Sequence, residues 1–239
     1  MPLLQVEKLV KSFGGLMALC EVNFEIFGGE IFGVIGPNGS GKTTLFNVVT
    51  GFLKANSGKV TFMGEDITGL PPHEICRKGI ARIFQLVKPF HQLTTLQNVM
   101  VGRAYGRDPA SNIKRAKEEV AEILNFVGLG NKSEVAASQL TMAERKRLEL
   151  ARALAAHPQL LLLDELMAGL NSTETEVAME LVKKIRDSGI TVIMVEHIMK
   201  AVLGISDRII VLNAGEKIAE GFPKEVVKNQ LVIEAYLGK

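Results

Sequence analysis

The string Gly36-Pro37-Asn38-Gly39-Ser40-Gly41-Lys42-Thr43-Thr44 fits GxxxxGK[ST] and follows a continuous apolar run at residues 31–35. That is the order a phosphate-binding loop requires: buried strand, glycine-rich loop, then a helix, here a helix-like apolar stretch from Leu45. Glycines let the backbone wrap closely, so its N–H groups and the helix N-terminus face anionic oxygens. Lys42 then reaches the outer phosphates and the Thr43 hydroxyl can ligate Mg²⁺. A second acidic element must hold the metal, and Asp164-Glu165 follows the four leucines at residues 160–163. Carboxylates at the C-terminal end of a buried parallel strand stand where open sheets bind ligands. Asp164 suits the Mg²⁺ shell, and Glu165 is placed to polarise a water aimed at a γ-phosphate. The nearest string to the guanine-reading NKxD is Asn131-Lys132-Ser133-Glu134, which lacks the Asp. Guanine specificity is therefore unsupported.

The elements that must position these groups are legible from periodicity. Residues 4–10, and Val22, Phe24 and Ile26 alternating with Asn23 and Glu25, have the period-two pattern of strands with one wet face and suggest an antiparallel edge sheet. Residues 59–63 read as another edge strand. Apolar runs at residues 31–35, 80–84, 160–163, 191–195 and 208–212 read as strands buried on both faces in a parallel sheet. Between residues 95 and 156 the period changes to 3.6, with Ile113, Ala116, Val120, Ile123, Leu124 and Val127 on one face. That block reads as a helical insertion. Asn171 with Glu174 opens a further helix, carried by Val177, Leu181 and Ile185 and stopped at Ser188-Gly189. The predicted fold is α/β: a phosphate-loop core with a mainly parallel sheet, an antiparallel β edge subdomain and a helical insertion.

At 239 residues the chain suits one α/β unit with an insertion, and 28 basic against 26 acidic residues gives a net charge of +2. This balance excludes disorder and a strongly nucleic-acid-seeking surface, and Arg145-Lys146-Arg147 reads as a solvated helix face. Cys20 and Cys76 are too few for a disulfide framework or paired zinc spacing, which points to buried, reduced thiols. No run of about 18 apolar residues is present and the start lacks the apolar stretch of a signal peptide, so a membrane link is expected only through a partner.

In this order the motifs resemble the ATP-binding cassette (ABC) ATPases over essentially the whole chain. The resemblance implies ATP and Mg²⁺ as cofactors, Phe13 stacking on adenine, and Gln85 and His197 sensing the γ-phosphate and metal after their strands. Gln85 would join Thr43 and Asp164 around the metal. The family's signature, usually LSGGQ, is here Leu140-Thr141-Met142-Ala143-Glu144. In the family this helix N-terminus meets the γ-phosphate held by the opposing subunit, which would place Thr141, Ala143 and Glu144 against nucleotide. Thr141 keeps the hydroxyl, whereas Met142 and Ala143 add Cβ atoms where close approach matters. Thr141-x-x-Glu144 is also a capping box.

KSFGGLMAL, DITGLPPHEICRKGIARIFQ, the AGLN turn, GEKIAEG and EAYLG resemble the ATPase subunits of branched-chain amino acid importers. Departures are Leu166, where a proline usually follows the Glu, Ile198, where an acidic residue usually follows the His, and a short insertion. The resemblance divides the chain into a core at residues 1–88 and 157–239 and a helical signature subdomain at 89–156. It implies two cassettes closing head to tail around two ATP, and membrane permease subunits as partners. The chain would sit in the cytoplasm, at the inner face of the membrane. Docking is expected along residues 86–103, with Phe90, Leu93, Leu96 and Val99 as contacts or packing. Alternatives are a lipopolysaccharide-export-type ATPase and a weakly catalytic partner in a heterodimer. Nucleic-acid-linked cassettes usually carry two cassettes or a long coiled coil, neither of which is present.

Overall fold

A computed structural model describes residues 1–86 and 88–237; Val87, within the predicted docking segment, and Gly238, within the EAYLG string, lie outside the described residues. The chain runs β1 (Leu4–Phe13), β2 (Leu16–Ile26), β3 (Ile31–Ile35), α1 (Lys42–Val49), β4 (Ser57–Phe62), β5 (Glu65–Asp66), α2 (Pro72–Lys78) and β6 (Ile80–Ile83). Then follow α3 (Thr95–Tyr105), α4 (Ile113–Phe126), α5 (Met142–Leu154), β7 (Leu160–Asp164), α6 (Ser172–Asp187), β8 (Thr191–Val195) and α7 (Met199–Ile205). The last elements are β9 (Arg208–Asn213), β10 (Glu216–Gly221), α8 (Pro223–Val226) and α9 (Gln230–Leu237).

One sheet has the order β2-β1-β4-β5 and is antiparallel throughout. The other has the order β10-β9-β3-β8-β7-β6, parallel except for β10, which pairs antiparallel with β9. Because successive side chains leave a strand on opposite faces, the apolar runs of this sheet sort by parity. Ile31, Ile35, Leu161, Leu163, Val192 and Met194 join the helical layer, sharing an apolar cluster with Val99, Val120, Leu124 and Leu148. Phe32, Val34, Leu160, Leu162, Ile193 and Val195 face the antiparallel sheet and α1, through Leu4, Phe24, Leu45 and Phe62. Each such side chain taken out of water contributes roughly 1.5–3 kcal/mol. The parallel sheet is thus clamped between two layers.

Several details differ from the sequence reading. The 95–156 block is three helices separated by turns, because Gly106, Pro109, Gly128 and Gly130 interrupt the pattern. Ile113 is exposed as the first residue of α4, and Val177 is exposed on α6, where Val182 is buried beside Leu181 and Ile185. β6 stops at Ile83, so Phe84 lies outside it and Gln85 stands two residues past its end. α1 starts at Lys42, three residues before the apolar stretch. Met63 lies just past β4. β5 and β10 were not anticipated: β5 is too short for a pattern, and β10, on an edge, has only Ile218 and Ala219 between Glu216-Lys217 and Glu220-Gly221. Cys20 and Cys76 are free and only half-buried. No helix among the described residues is long and apolar enough to cross a membrane.

Candidate active site

Strand order and register bring the chemistry to one edge. β8 lies between β3 and β7, with Val34 and Asp164 both opposite Val195, so the chain leaves all three strands at the same level. The glycine-rich loop follows β3, Asp164-Glu165 ends β7, and Glu196-His197 follows β8.

The loop is held in shape by steric demand. Gly36 has φ 150°, and a Cβ there would lie 2.1 Å from the Leu212 carbonyl oxygen and 2.6 Å from Ser40 Oγ. Gly41 has φ 106°, with a Cβ position 2.5 Å from the Ala18 carbonyl oxygen. Only glycine satisfies both demands. Gly41 starts α1 without a side-chain cap, and no acidic residue occupies the first turn, so the helix offers its amides and its positive end to an anion. The Gly215 N–H donates to the Ser40 carbonyl at 3.1 Å and the Cys20 N–H donates to the Gly215 carbonyl at 2.8 Å, tying the loop to β2 and the β9–β10 turn.

Lys42 is 6 % exposed. Its Nζ donates to the carbonyls of Gly36 and Pro37, both at 2.8 Å, and to Ser40 Oγ at 3.3 Å. Burial pulls the ammonium pKa down, and the carboxylates of Glu165 and Asp164 push it back up. A buried cation with two nearby carboxylates on a bare helix N-terminus is the electrostatics of a polyphosphate site.

A cavity of about 500 Å³ covers this loop, lined by Phe13, Asn38, Gly39, Ser40, Gly41, Lys42, Thr43, Thr44, Glu165 and His197. The structure thus brings these ten predicted residues around one cavity, while Gly36, Pro37, Gln85 and Asp164 do not line it. Phe13 is 46 % exposed and lines this cavity, with Lys11 Nζ 5.1 Å from its ring centre. Leu16, Met17, Ala18 and Ala214 complete the wall, unsignalled in the sequence because single apolar residues in a hairpin carry no pattern.

Glu165 takes φ 53°, the left-handed region that a non-glycine residue occupies at a cost of order 1–3 kcal/mol. Its N–H donates to the Val195 carbonyl at 2.9 Å. One carboxylate oxygen accepts from Gln85 Nε2 at 2.6 Å, and the other lies 2.6 Å from His197 Nε2. Two partners leave lone pairs on the carboxylate for a water. Asp164 is buried behind it, its Oδ2 paired with Arg82 Nη2 at 2.6 Å. Arg82 also donates to Asn47 Oδ1 at 2.7 Å and lies 4.8 Å from the Phe84 ring centre. Sequence reasoning missed Arg82, since one arginine within an apolar strand has no partner visible in the chain order.

The signature residues stand apart from this cavity. Thr141 Oγ1 accepts from the Glu144 N–H at 3.3 Å and the Glu144 carboxylate accepts from the Thr141 N–H at 3.0 Å, so the capping box is formed. Lys132 bonds to Glu144 and holds its carboxyl below the usual carboxylate range. Met142 is exposed at the helix start. Thr141, Ala143 and Glu144 do not line the phosphate cavity of their own chain.

Residues 19–168 match the family model described as ABC transporter, and residues 216–239 match one described as branched-chain amino acid ATP-binding cassette transporter. The chain is 40 % identical to the high-affinity branched-chain amino acid transport ATP-binding protein LivG of Escherichia coli K12, over 100 % of this chain and 98 % of that protein. The crystal structure of the ADP conformation of MJ1267, an ATP-binding cassette of an ABC transporter, superposes with a TM-score of 0.91 at 35 % identity, covering both chains fully. The dimeric post-hydrolysis structure of the cassette MJ0796, bound to ADP and Pi, gives 0.81 at 28 % identity, covering 92 % of this chain and 98 % of that one. A phosphate loop beside a carboxylate pair, on a fold shared end to end with nucleotide-binding cassettes, leaves one assignment: the chain belongs to the ABC transporter family, as its ATP-hydrolysing subunit.

Proposed function

We propose that the chain powers a branched-chain amino acid importer, working at the inner face of the membrane through permease subunits and in a pair with a second cassette. The observation that carries this reading is identity sustained along the whole length of LivG, the C-terminal segment included. The test is reconstitution with the permease and binding protein of a branched-chain amino acid importer: ATP-dependent uptake of leucine or isoleucine is expected, and uptake of an unrelated solute, or export, overturns the substrate class.

Thr43, Asp164 and Gln85 would hold Mg²⁺, together with phosphate oxygens. The fit is chemical: hydroxyl, carboxylate and amide oxygens are the hard donors that Mg²⁺ prefers. When bound, the metal neutralises charge on the transferred phosphoryl group. The remaining roles fall to the chain itself. Lys42 and the loop amides bind the phosphates, Phe13 the base, and Glu165 takes a proton from the attacking water. Gln85 and His197 aim the Glu165 carboxylate.

Permease docking is assigned to a groove of about 380 Å³ between β6 and α3, whose walls include Phe52, Phe84, Tyr105 and Arg152. Phe90 is exposed beside it, with the Arg152 guanidinium 5.0 Å from its ring centre, whereas Val99 is fully buried packing. Arg82 joins this groove to Asp164. Tyr105, 73 % exposed, is the anchor to remove. Tyr105→Asp is expected to cut co-purification with the permease roughly tenfold or more, the loss typical of an aromatic anchor that an interface buries. Undiminished assembly removes the groove as the docking site.

The signature segment is assigned to the partner's nucleotide. Replacing Thr141-Met142-Ala143-Glu144 by Ser-Gly-Gly-Gln strips Cβ atoms from the helix start and should tighten ATP-dependent pairing. It also breaks the Lys132–Glu144 pair and adds helix glycines, costing about 1–2 kcal/mol. Tighter association with a lower melting temperature is expected in a Glu165→Gln background. Unchanged or weaker association with the fold intact shows Met142 and Ala143 to be a working variant.

A further inference from the structure

Behind the Glu165 carboxylate lies a second set of contacts, all made to backbone. Lys146, on α5 two residues beyond the signature, is 6 % exposed, and its Nζ donates to the Leu166 carbonyl at 2.7 Å and the Glu165 carbonyl at 3.2 Å. Glu196, 3 % exposed and directly before His197, accepts from the Met167 N–H at 2.8 Å. Residues 165–167 are thus gripped from α5 on one side and from the end of β8 on the other. The turn they form contains the left-handed Glu165, a conformation that persists only where its surroundings over-determine it. Neither group serves as a surface charge. Burial lowers the Lys146 pKa and raises that of Glu196 to about 7, and each ion's field acts on the other. Two such costly groups on one three-residue turn exceed what packing of Leu166 and Met167 requires.

We propose that Lys146 and Glu196 are positioning residues for Glu165: they fix the turn that aims its carboxylate, and Lys146 makes that aim depend on where the signature helix stands. The inference rests on Glu165 being the group that activates water. Since α5 begins at the segment assigned to the partner's nucleotide, engagement at one site would reach the base of the other through a single side chain.

The test is a double-mutant cycle on the full chain, with nucleotide affinity, single-turnover hydrolysis and melting temperature measured for each variant. Lys146→Met is expected to slow hydrolysis about tenfold while ATP affinity stays within about twofold, the split that separates positioning from binding. Lys146→Arg, which keeps the donors, should recover to within about threefold of wild type. Glu196→Gln keeps the acceptor and should be mild, and Glu196→Ala should resemble Lys146→Met. In the Glu165→Gln background, Lys146→Met should slow the residual rate by no more than about twofold, because the group it positions is gone. Lys146→Gln, which retains an amide donor, replaces Lys146→Met if that variant does not fold, with the same ordering expected. Wild-type hydrolysis in Lys146→Met, or an equal tenfold loss in both backgrounds, overturns the proposal. If Glu165→Gln alone hydrolyses normally, it is the assignment of Glu165 that fails, a result distinct from the other two.

Discussion

Glu165→Gln should yield a protein that takes up ATP with near-normal affinity and hydrolyses it at least 10²-fold more slowly. The substitution keeps the shape of a side chain whose two oxygens face Gln85 and His197, each at 2.6 Å. An amide can still meet one of these partners through its oxygen, but it cannot take a proton from water at neutral pH. Binding should survive because the phosphates are held elsewhere, by the loop and Lys42. Single-turnover hydrolysis and equilibrium ATP binding check the two halves separately. Normal turnover would move proton abstraction to another group, and His197, already in contact with Glu165, is next. Equal loss of binding and turnover would instead mean that the turn at φ 53° has collapsed, which the melting temperature would register.

How much of this arrangement the sequence discloses follows from how each contact is encoded. The phosphate loop and Asp164-Glu165 are contiguous strings after apolar runs, so motif and strand signal each other. The two-faced burial of the parallel sheet is written in uninterrupted runs such as residues 160–163, all four leucines fully buried. Gln85, His197 and Phe13 were reachable only through the resemblance, since a single polar or aromatic residue after a strand has no local signature. Arg82, Lys146 and Glu196 escaped altogether. Arg82 and Asp164 are 82 positions apart, and Lys146 meets Leu166 across 20. Lys146 also sits in a basic triplet that reads as a solvated face, yet it is buried while Arg145 and Arg147 are only part-covered. Charge patterning cannot separate the three, because which face of α5 turns inward is decided by α3 and β6. β10 was missed for the opposite reason: as an edge strand it buries little, so period two is blurred by lysine and glutamate.

Lys42→Ala should weaken ATP binding by roughly 10²-fold or more while leaving the fold nearly as stable. The affinity loss follows from removing the one side-chain cation that the loop supplies, whose charge-assisted bonds are each worth about 1.5–3 kcal/mol. Stability involves opposing effects of similar size. The variant orphans the Gly36 and Pro37 carbonyls and Ser40 Oγ, now all held by Nζ. It also removes a buried ammonium whose pKa is depressed by desolvation, and places the best helix former at the first position of α1. The melting temperature should therefore move by only a few degrees, against a collapse in nucleotide affinity measured by calorimetry. Lys42→Met separates charge from volume, since it keeps the apolar stem in the same slot. Both variants should bind poorly, and if Lys42→Met alone retained affinity, the lysine would be a spacer that shapes the loop. Wild-type affinity in Lys42→Ala would remove the phosphate assignment itself, and with it the reason for Asp164 and Glu165 to stand where they do.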